Sequence, residues 1–296
     1  MTDIATDIKK DYSIGGFTAM ACPCEILLES QDKALIKSIT ELAYQEAKRI
    51  EKKFSRYRSD NIIYKINNSN GVPVEVDAET ALIFDFADQC YQLSEGKFDI
   101  TSGILRKIWK FDGSNNIPSQ QQVDLIRQKI DWKKVKWCNA SITLPKDMEV
   151  DLGGIGKEYA VDSTLKILQQ HTDKSVLVNF GGDIACSKPR QNKSPWVIGV
   201  DDPKHTGESS AGQVTLYQGG LATSGDARRF LLKDSIRYSH ILDPQTGYPV
   251  PNAPRSVTVI ANTCIEAGML STFAMLKGKD AVEFLDAQDV KYWCIA

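Results

Sequence analysis

The sequence lacks the features that define several large classes of protein. No segment approaches ~18 uninterrupted apolar residues, so the sequence predicts no membrane-spanning helix and no membrane partner. The first ten residues have no apolar core and carry acids where a secretory signal peptide would be basic. We therefore expect a cytoplasmic protein.

Metal-binding and disulfide patterns are also missing. The seven cysteines are scattered and form no CxxC pair, and there are only three histidines. The pair Cys22 and Cys24 is too isolated to predict a zinc site. An odd, dispersed set of cysteines in a chain of this size fits reduced thiols in a reducing compartment.

Excess charge of one sign is absent as well. The formal net charge is −2 and the calculated isoelectric point is about 6.0, which gives no support for nucleic-acid binding. Hydrophobic residues make up 42% and charged residues 25% of the chain, as in a soluble globular protein with a substantial core. A length of 296 residues fits one large domain or two closely packed lobes.

Hydrophobic periodicity predicts helices and strands that are interspersed without a strict βαβ rhythm. This mixture predicts an α+β fold with a largely antiparallel sheet. The predicted helices are 32–55, 78–94, 157–170, 265–277 and 280–286. The predicted strands are 13–30, 73–76, 175–180, 195–201, 213–218, 237–242 and 256–261. The polar segment 115–140 is the least predictable and is interpreted as a peripheral connector.

Five clusters place glycine beside Asp, Thr, Ser or His, and they are spread across most of the chain. They are 96–101, 151–157, 179–183, 223–226 and 240–247. Glycine-rich turns expose backbone amides, and an amide-rich turn at the start of a helix favours an anion. Five such clusters together suggest a site for a phosphate-bearing ligand assembled from distant segments.

Each cluster also has a purely structural interpretation. The segment 151–157 has three glycines in four positions, but its spacing matches neither a Rossmann nor a P-loop motif. The segments 181–183 and 223–226 could be tight turns, the second of them a hairpin turn. These alternatives stay open for each cluster taken alone.

Four acids in or beside the clusters are candidate ligands for a hard cation such as Mg²⁺. They are Asp99, Asp151, Asp183 and Asp226. The sequence shows no Ser nucleophile elbow and no Cys-His pair. Anion-binding turns, hard-metal ligands and one histidine, His240, together favour phosphoryl or pyrophosphate chemistry.

Taken in order, the clusters resemble the motifs of the ApbE family, the FAD:protein FMN transferases. The matching segments are 54–60, 96–101, 151–162, 181–183, 224–226 and 240–247, and the resemblance covers about residues 15–290. It implies a T-fold-like α+β architecture with two intimately associated lobes and FAD between them. We expect a flexible segment at 1–14 and a single flavin transferase domain at 15–296.

The resemblance also implies a reaction. Mg²⁺ would polarise the FAD pyrophosphate, a Thr or Ser hydroxyl of an acceptor redox protein would attack the FMN phosphorus, and AMP would leave. FAD is then a substrate and Mg²⁺ a cofactor. The product is a post-translationally flavinylated protein.

Individual site residues follow from the same match. The positions matching the family's FAD contacts are Met20, Tyr57, Phe98, Asp99, Ile100, Asp151, Lys157 and Leu242. Tyr57 is the expected stacking partner for an aromatic ring of FAD. His240 is the candidate for proton transfer from the acceptor hydroxyl, although it could instead only anchor the turn at Asp243.

The implied metal ligands are the Gly154 carbonyl and Thr272. The family's metal-binding Asp in the same helix motif is replaced here by Gly268. Mg²⁺ affinity should therefore fall unless Glu266 or Asp243 substitutes, and a large gain in rate on restoring Gly268→Asp would show that the missing ligand is limiting. Two alternative functions are an FAD pyrophosphatase that uses water as nucleophile and a noncatalytic FAD-binding protein.

Overall fold

The computed structural model describes residues 4–138, 140–201, 210–226, 230–233 and 236–296. The α-helices are α1 Lys33–Phe54, α2 Ile62–Asn67, α3 Ala78–Leu93, α4 Gln120–Arg127, α5 Gly156–Leu168, α6 Cys264–Lys277 and α7 Ala281–Asp286. A longer 3₁₀ segment spans Ile100–Lys107, and shorter ones span Trp132–Lys134, Gln191–Lys193 and Gly278–Asp280.

The strands lie in one large sheet and three small ones. They are β1 Ala5–Ile8, β2 Ser13–Ala19, β3 Cys22–Leu28, β4 Val74–Glu75, β5 Lys136–Cys138, β6 Ser141–Thr143, β7 Val176–Phe180, β8 Asp183–Cys186, β9 Trp196–Asp201, β10 Ser210–Leu216, β11 Gly219–Gly225, β12 Phe230–Lys233, β13 Ile236–Ser239, β14 Ser256–Ala261 and β15 Lys291–Ile295. The large sheet is eight-stranded in the order β1-β2-β3-β7-β8-β11-β14-β15, with antiparallel neighbours throughout.

The large sheet is covered on both faces, and β7 shows how its sequence permits this. Val176, Val178 and Phe180 join the main core, which also contains residues of α1, α5 and α6. Leu177 points the other way, into a second cluster that includes Trp196 and residues of the β9–β10 hairpin. Because successive side chains of a strand alternate between faces, a strand buried on both sides is a continuous apolar run.

Side-chain carboxylates fix the starts of two core helices, α1 and α6. The Asp32 carboxylate caps α1 by accepting hydrogen bonds from the amides of Ala34 and Leu35. The carboxylate of Asp162 on α5 accepts hydrogen bonds from the amides of Cys264 and Ile265, both at 2.9 Å. The Asp162 side chain thus fixes the start of α6, and the two helices are held side by side.

A third apolar cluster forms the core of a smaller lobe. It contains Ile104, Leu105, Trp109, Ile130 and Leu231, which come from the 3₁₀ segment, the following loops and β12. The predicted architecture of two packed lobes is therefore present. Within the segment 115–140, interpreted as a connector, Ile126 of α4 packs on this cluster. Trp132 of the 3₁₀ turn belongs to the main core, and Trp137 of β5 packs against that core.

The structure differs from the sequence-based boundaries in three places. The segment predicted to be flexible at 1–14 includes β1, which pairs with β2 at the edge of the sheet; residues 1–3 lie outside the described residues. The predicted strand 13–30 is a hairpin, because Met20 and Ala21 adopt positive φ values of 53° and 59°. Residues 223–225 are part of β11 and not a hairpin turn, since β14 pairs with them.

Candidate active site

The segment that enters α5 is where two of the glycine clusters meet. The amide of Asp151 donates a hydrogen bond to the carbonyl of Ile100 at 2.8 Å. A Cβ atom added to Gly154 would lie 3.3 Å from the ring of Phe98, so a glycine lets the two segments approach closely. The predicted site residues of clusters 96–101 and 151–157 are therefore neighbours.

Arg56 joins Asp151 to Tyr57. The Arg56 guanidinium forms an ion pair with the Asp151 carboxylate, which also accepts a hydrogen bond from the amide of Gly153 at 3.0 Å. The same guanidinium lies 4.9 Å from the centre of the Tyr57 ring and donates to its hydroxyl at 2.8 Å. The Tyr57 side chain is 81% exposed, so a large aromatic face is presented to solvent beside this ion pair.

Lys157 connects the start of α5 to the turn between β7 and β8. Its Nζ lies 2.7 Å from Oδ2 of Asp183, a residue that is only 3% exposed. Burial opposes the charge on Lys157, but the neighbouring carboxylate of Asp183 outweighs burial and raises the lysine pKa. Gly181 and Gly182 have φ values of 61° and 99°, which permits the tight turn that aims Asp183 at Lys157.

Met20 lies at the tip of the β2–β3 hairpin. Its amide donates a hydrogen bond to Oε1 of Glu51 at 2.9 Å. Cys22, the first residue of β3, abuts Gly181, where an added Cβ would lie 2.8 Å from the Cys22 Cβ. The hairpin tip, the Gly181 turn and Lys157 are therefore contiguous.

Each of the four acids predicted as hard-cation ligands is engaged by protein donors. The donors are Thr101 and Trp132 for Asp99, Arg56 for Asp151, Lys157 for Asp183, and Arg237 with Arg255 for Asp226. Among the described residues, no group of three His, Cys, Asp or Glu side chains could hold a metal ion. These acids cap and pair within the fold and do not form a joint cation site.

Thr272 lies on α6 against the end of β11. Its hydroxyl is 3.1 Å from the Ser224 hydroxyl, which is also 2.9 Å from the hydroxyl of Ser271. Ser271 donates in turn to the carbonyl of Gly268 at 3.0 Å. The cluster 223–226 is thereby brought to the helix that carries the predicted metal ligand Thr272.

Glu158 faces Gly268 across the interface between α5 and α6. A Cβ atom added to Gly268 would lie 2.6 Å from Cγ and 3.2 Å from Cδ and Oε1 of Glu158. Burial, reinforced by the negative charge of Asp183, raises the pKa of Glu158 to about 8. The space beside Gly268 is thus filled by a buried carboxyl group from the neighbouring helix.

His240 and Leu242 belong to the smaller lobe. Leu242 packs on the third cluster and forms an isolated bridge with Pro249, and the His240 ring centre lies 6.2 Å from that of Phe111. The turn after them is held by the indole of Trp109, which donates to the carbonyl of Gly247 at 2.9 Å.

Gln245 links this turn to the first cluster. Its side-chain amide donates to the carbonyl of Glu95 at 3.2 Å, directly before Gly96. The cluster 240–247 therefore borders the cluster 96–101, and the five clusters form one connected region at the junction of the two lobes.

The family model described as the ApbE family matches residues 20–294. The chain belongs to the ApbE family. A FAD:protein FMN transferase of Haemophilus influenzae is 30% identical over 283 residues, which cover 89% of this chain and 81% of that protein. The FAD:protein FMN transferase of Escherichia coli K12 is 31% identical, with 76% and 67% covered.

Solved structures of the family have the same fold. The ApbE protein of Thermotoga maritima is 33% identical, with a TM-score of 0.85 over 96% of this chain and 94% of that one. The flavin transferase ApbE of Vibrio cholerae has a TM-score of 0.81 at 23% identity, over 98% and 93% of the two chains. The predicted family, its enzyme class and the α+β fold with a largely antiparallel sheet are confirmed.

Two residues of this ApbE-family site were not among the sequence-based candidates. Arg56 and Glu158 stand directly beside Tyr57 and Lys157, inside segments that carried the resemblance. Adjacency in sequence was the available signal, but only the packing shows that Arg56 pairs with Asp151 and that Glu158 faces Gly268.

No helix of the described residues is long and apolar enough to span a membrane.

Proposed function

We propose that this chain transfers the FMN moiety of FAD to a Thr or Ser hydroxyl of an acceptor redox protein, with Mg²⁺ as cofactor and AMP as the second product. The proposal rests on the set of residues that surround the N-terminus of α5. Arg56, Lys157 and the exposed turn at Gly153 and Gly154 lie around one helix N-terminus, beside the exposed ring of Tyr57. This combination suits a pyrophosphate attached to an aromatic ring system.

The helix end fits an anion for two reasons. The N-cap residue of α5, Ile155, makes no side-chain capping hydrogen bond, so a side chain does not already occupy this position. The helix dipole and the nearby cations Arg56 and Lys157 favour negative charge at the same place. These residues would bind the pyrophosphate and stabilise the charge that develops on it.

Five residues would orient the rings of FAD and exclude water from them: Tyr57, Phe98, Ile100, Met20 and Leu242. Tyr57 is exposed, whereas Phe98 and Ile100 are buried in the main core. A stacking face that is exposed before binding gains contact area with FAD, while the buried residues keep the backbone of the pocket fixed. Asp99, with both carboxylate oxygens engaged, would act by holding this backbone.

The oxygen donors of the Gly154 carbonyl and the Thr272 hydroxyl are of the type that Mg²⁺ prefers. Gly154 is exposed, and Thr272 lies in a cluster of hydroxyl groups with Ser224. When bound there, Mg²⁺ would supply Lewis-acid activation of a phosphate oxygen and neutralise charge.

The transfer exchanges the phosphoanhydride bond of FAD for a phosphoester bond to the acceptor. The acceptor oxygen forms a bond to the FMN phosphorus as the bond between that phosphorus and the AMP oxygen breaks. The acceptor hydroxyl loses its proton, which His240 would accept. AMP leaves with the oxygen that bridged the two phosphorus atoms of FAD. We expect this to take place in the cytoplasm.

The proposal is tested by incubating the chain with FAD, Mg²⁺ and an acceptor protein that contains a flavinylation threonine. We expect covalent flavin on the acceptor, detected by in-gel fluorescence and by mass, together with AMP. Free FMN plus AMP without labelling would instead establish a pyrophosphatase. Bound but unchanged FAD at saturating Mg²⁺ would establish a noncatalytic flavin-binding protein.

Substitution of Tyr57 by Ala should weaken FAD binding by about tenfold, because aromatic stacking on a ring contributes roughly 1–3 kcal/mol. The measurement is quenching of flavin fluorescence in EDTA, where FAD is not consumed. Tyr64→Ala is the matched control, since Tyr64 is also exposed but lies on α2. Equal losses in the two variants would contradict a specific stacking role for Tyr57.

A further inference from the structure

The helix position at which the ApbE motif calls for a metal-binding carboxylate is Gly268 in this chain, yet a carboxylate is present there. It belongs to Glu158 of α5. The Cβ position of Gly268 lies 3.2 Å from both Cδ and Oε1 of Glu158. The Glu158 side chain therefore occupies the volume into which a side chain at 268 would project.

The carboxyl group of Glu158 has an oxygen that no described protein group engages. Its Oε2 atom is buried from solvent and has no hydrogen-bond partner among the described residues. A buried carboxyl oxygen without a protein partner is costly, and such an atom is available to a bound ion. Glu149 and Asp183 also have such an oxygen, but both of these acids form ion pairs.

The two acids considered as substitutes from sequence are engaged elsewhere. Oε2 of Glu266 accepts a hydrogen bond from the amide of Asn262 at 3.2 Å, at the N-terminal end of α6. Oδ1 of Asp243 accepts from the amide of Gln245 at 2.7 Å, within its own turn in the smaller lobe. Each of these carboxylates is thus hydrogen-bonded within its own segment, whereas the three atoms nearest the Cβ position of Gly268 all belong to Glu158.

The placement of Glu158 also matches that of the other two donors. Glu158 lies in the first turn of α5, shortly after the Gly154 turn, and Gly268 and Thr272 lie four residues apart on one side of α6. Glu158 meets Gly268, and Phe98 bridges the Gly154 end to Phe273 with ring centres 6.0 Å apart. The entry of α5 therefore faces the Gly268–Thr272 side of α6.

We infer that Glu158 supplies the carboxylate ligand of the Mg²⁺ site, in place of the acid missing at position 268. The inference rests on the proposed function for the identity of the metal and for the donors at Gly154 and Thr272. The ligand charge of the site is kept, but it comes from the neighbouring helix. Gly268 is then required, because any larger residue would displace Glu158.

The test is Mg²⁺ binding, followed by isothermal titration calorimetry with Mg²⁺ alone and repeated in the presence of FAD. Glu158→Gln keeps the shape of the side chain and removes its charge. We expect its Mg²⁺ dissociation constant to rise at least about tenfold, since loss of even an outer-shell partner of a metal site costs about 10–100-fold. Glu266→Gln, on the same helix as Gly268, should leave the dissociation constant close to that of the parent, because the Glu266 carboxylate is bonded to the Asn262 amide.

A double variant tests the placement directly. Glu158→Gly combined with Gly268→Asp moves the carboxylate to α6, and we expect it to bind Mg²⁺ more tightly than Glu158→Gln. Thermal melting of each variant shows that it is folded. Unchanged Mg²⁺ binding by Glu158→Gln would overturn the inference, as would a parent chain that binds no Mg²⁺ with or without FAD.

These outcomes are independent of the proposed reaction. A parent that binds Mg²⁺ through Glu158 but labels no acceptor would refute the transferase proposal alone. A parent that labels the acceptor while Glu158→Gln binds Mg²⁺ normally would refute the role of Glu158 alone.

Discussion

Replacing Gly268 by Asp is expected to destabilise the protein, by about 2–4 kcal/mol of unfolding free energy, and not to raise its activity. The added Cβ would lie 2.6 Å from Cγ of Glu158, which is too close for any real contact. Overpacking of a core costs about 1–3 kcal/mol, and an aspartate carboxylate packed against the buried carboxyl group of Glu158 is itself desolvated, which adds to the loss. The measurement is urea unfolding followed by circular dichroism.

The variant set separates these two causes. Gly268→Ala introduces the steric conflict without the charge, so its loss should be smaller than that of Gly268→Asp. Glu158→Gly in the Gly268→Asp background removes both conflicts and should recover most of the lost stability. A Gly268→Asp variant as stable as the parent, with faster flavin transfer, would show that Glu158 does not occupy this space in solution.

Substitution of Lys157 by Met should lower the unfolding free energy by about 2–3 kcal/mol and weaken FAD binding by about 10–100-fold. Removing one member of a buried ion pair leaves the other charge uncompensated, at a cost of about 3–5 kcal/mol when both are fully buried. Asp183 is 3% exposed, but the Lys157 side chain is 32% exposed, which reduces the expected loss. A hydrogen bond to a charged group contributes about 1.5–3 kcal/mol, which sets the expected change in FAD affinity.

Two further variants distinguish the structural from the binding contribution of Lys157. Lys157→Met with Asp183→Asn removes the unpaired charge, so it should recover stability but not FAD affinity. Lys166→Met, on the exposed side of the last turn of α5, should leave both quantities near those of the parent. If the double variant recovered FAD affinity together with stability, Lys157 would be a structural residue only.

The sequence predicted most elements whose signals are local. The helix α1 follows from apolar positions at helical spacing and from the Asp32 cap, and its bounds agree with the prediction to within one residue. The strand β7 follows from its uninterrupted apolar run. Local pattern failed at residues 223–225, because a Ser-Gly-Asp sequence has the composition of a turn even when its neighbour strand β14 holds it in a sheet.

The candidate site was predictable as a set of segments but not as a set of contacts. The glycine clusters carried the family resemblance, and the comparisons confirm the family. Their composition could not show that Asp99, Asp151, Asp183 and Asp226 are each paired within the protein. Those partners lie up to 95 residues away in the chain, as for Arg56 and Asp151, and only the fold brings them together.

By itself, the sequence determined the family, the α+β class and the absence of an acid at position 268. The tertiary structure alone decided where a carboxylate lies in that region. Glu158 and Gly268 are separated by more than one hundred residues, and they meet because α5 and α6 pack in one core with Asp162 fixing the start of α6. The absence of a side chain at position 268 can be read from the sequence, whereas the group that occupies its volume is known only from the packing of α5 against α6.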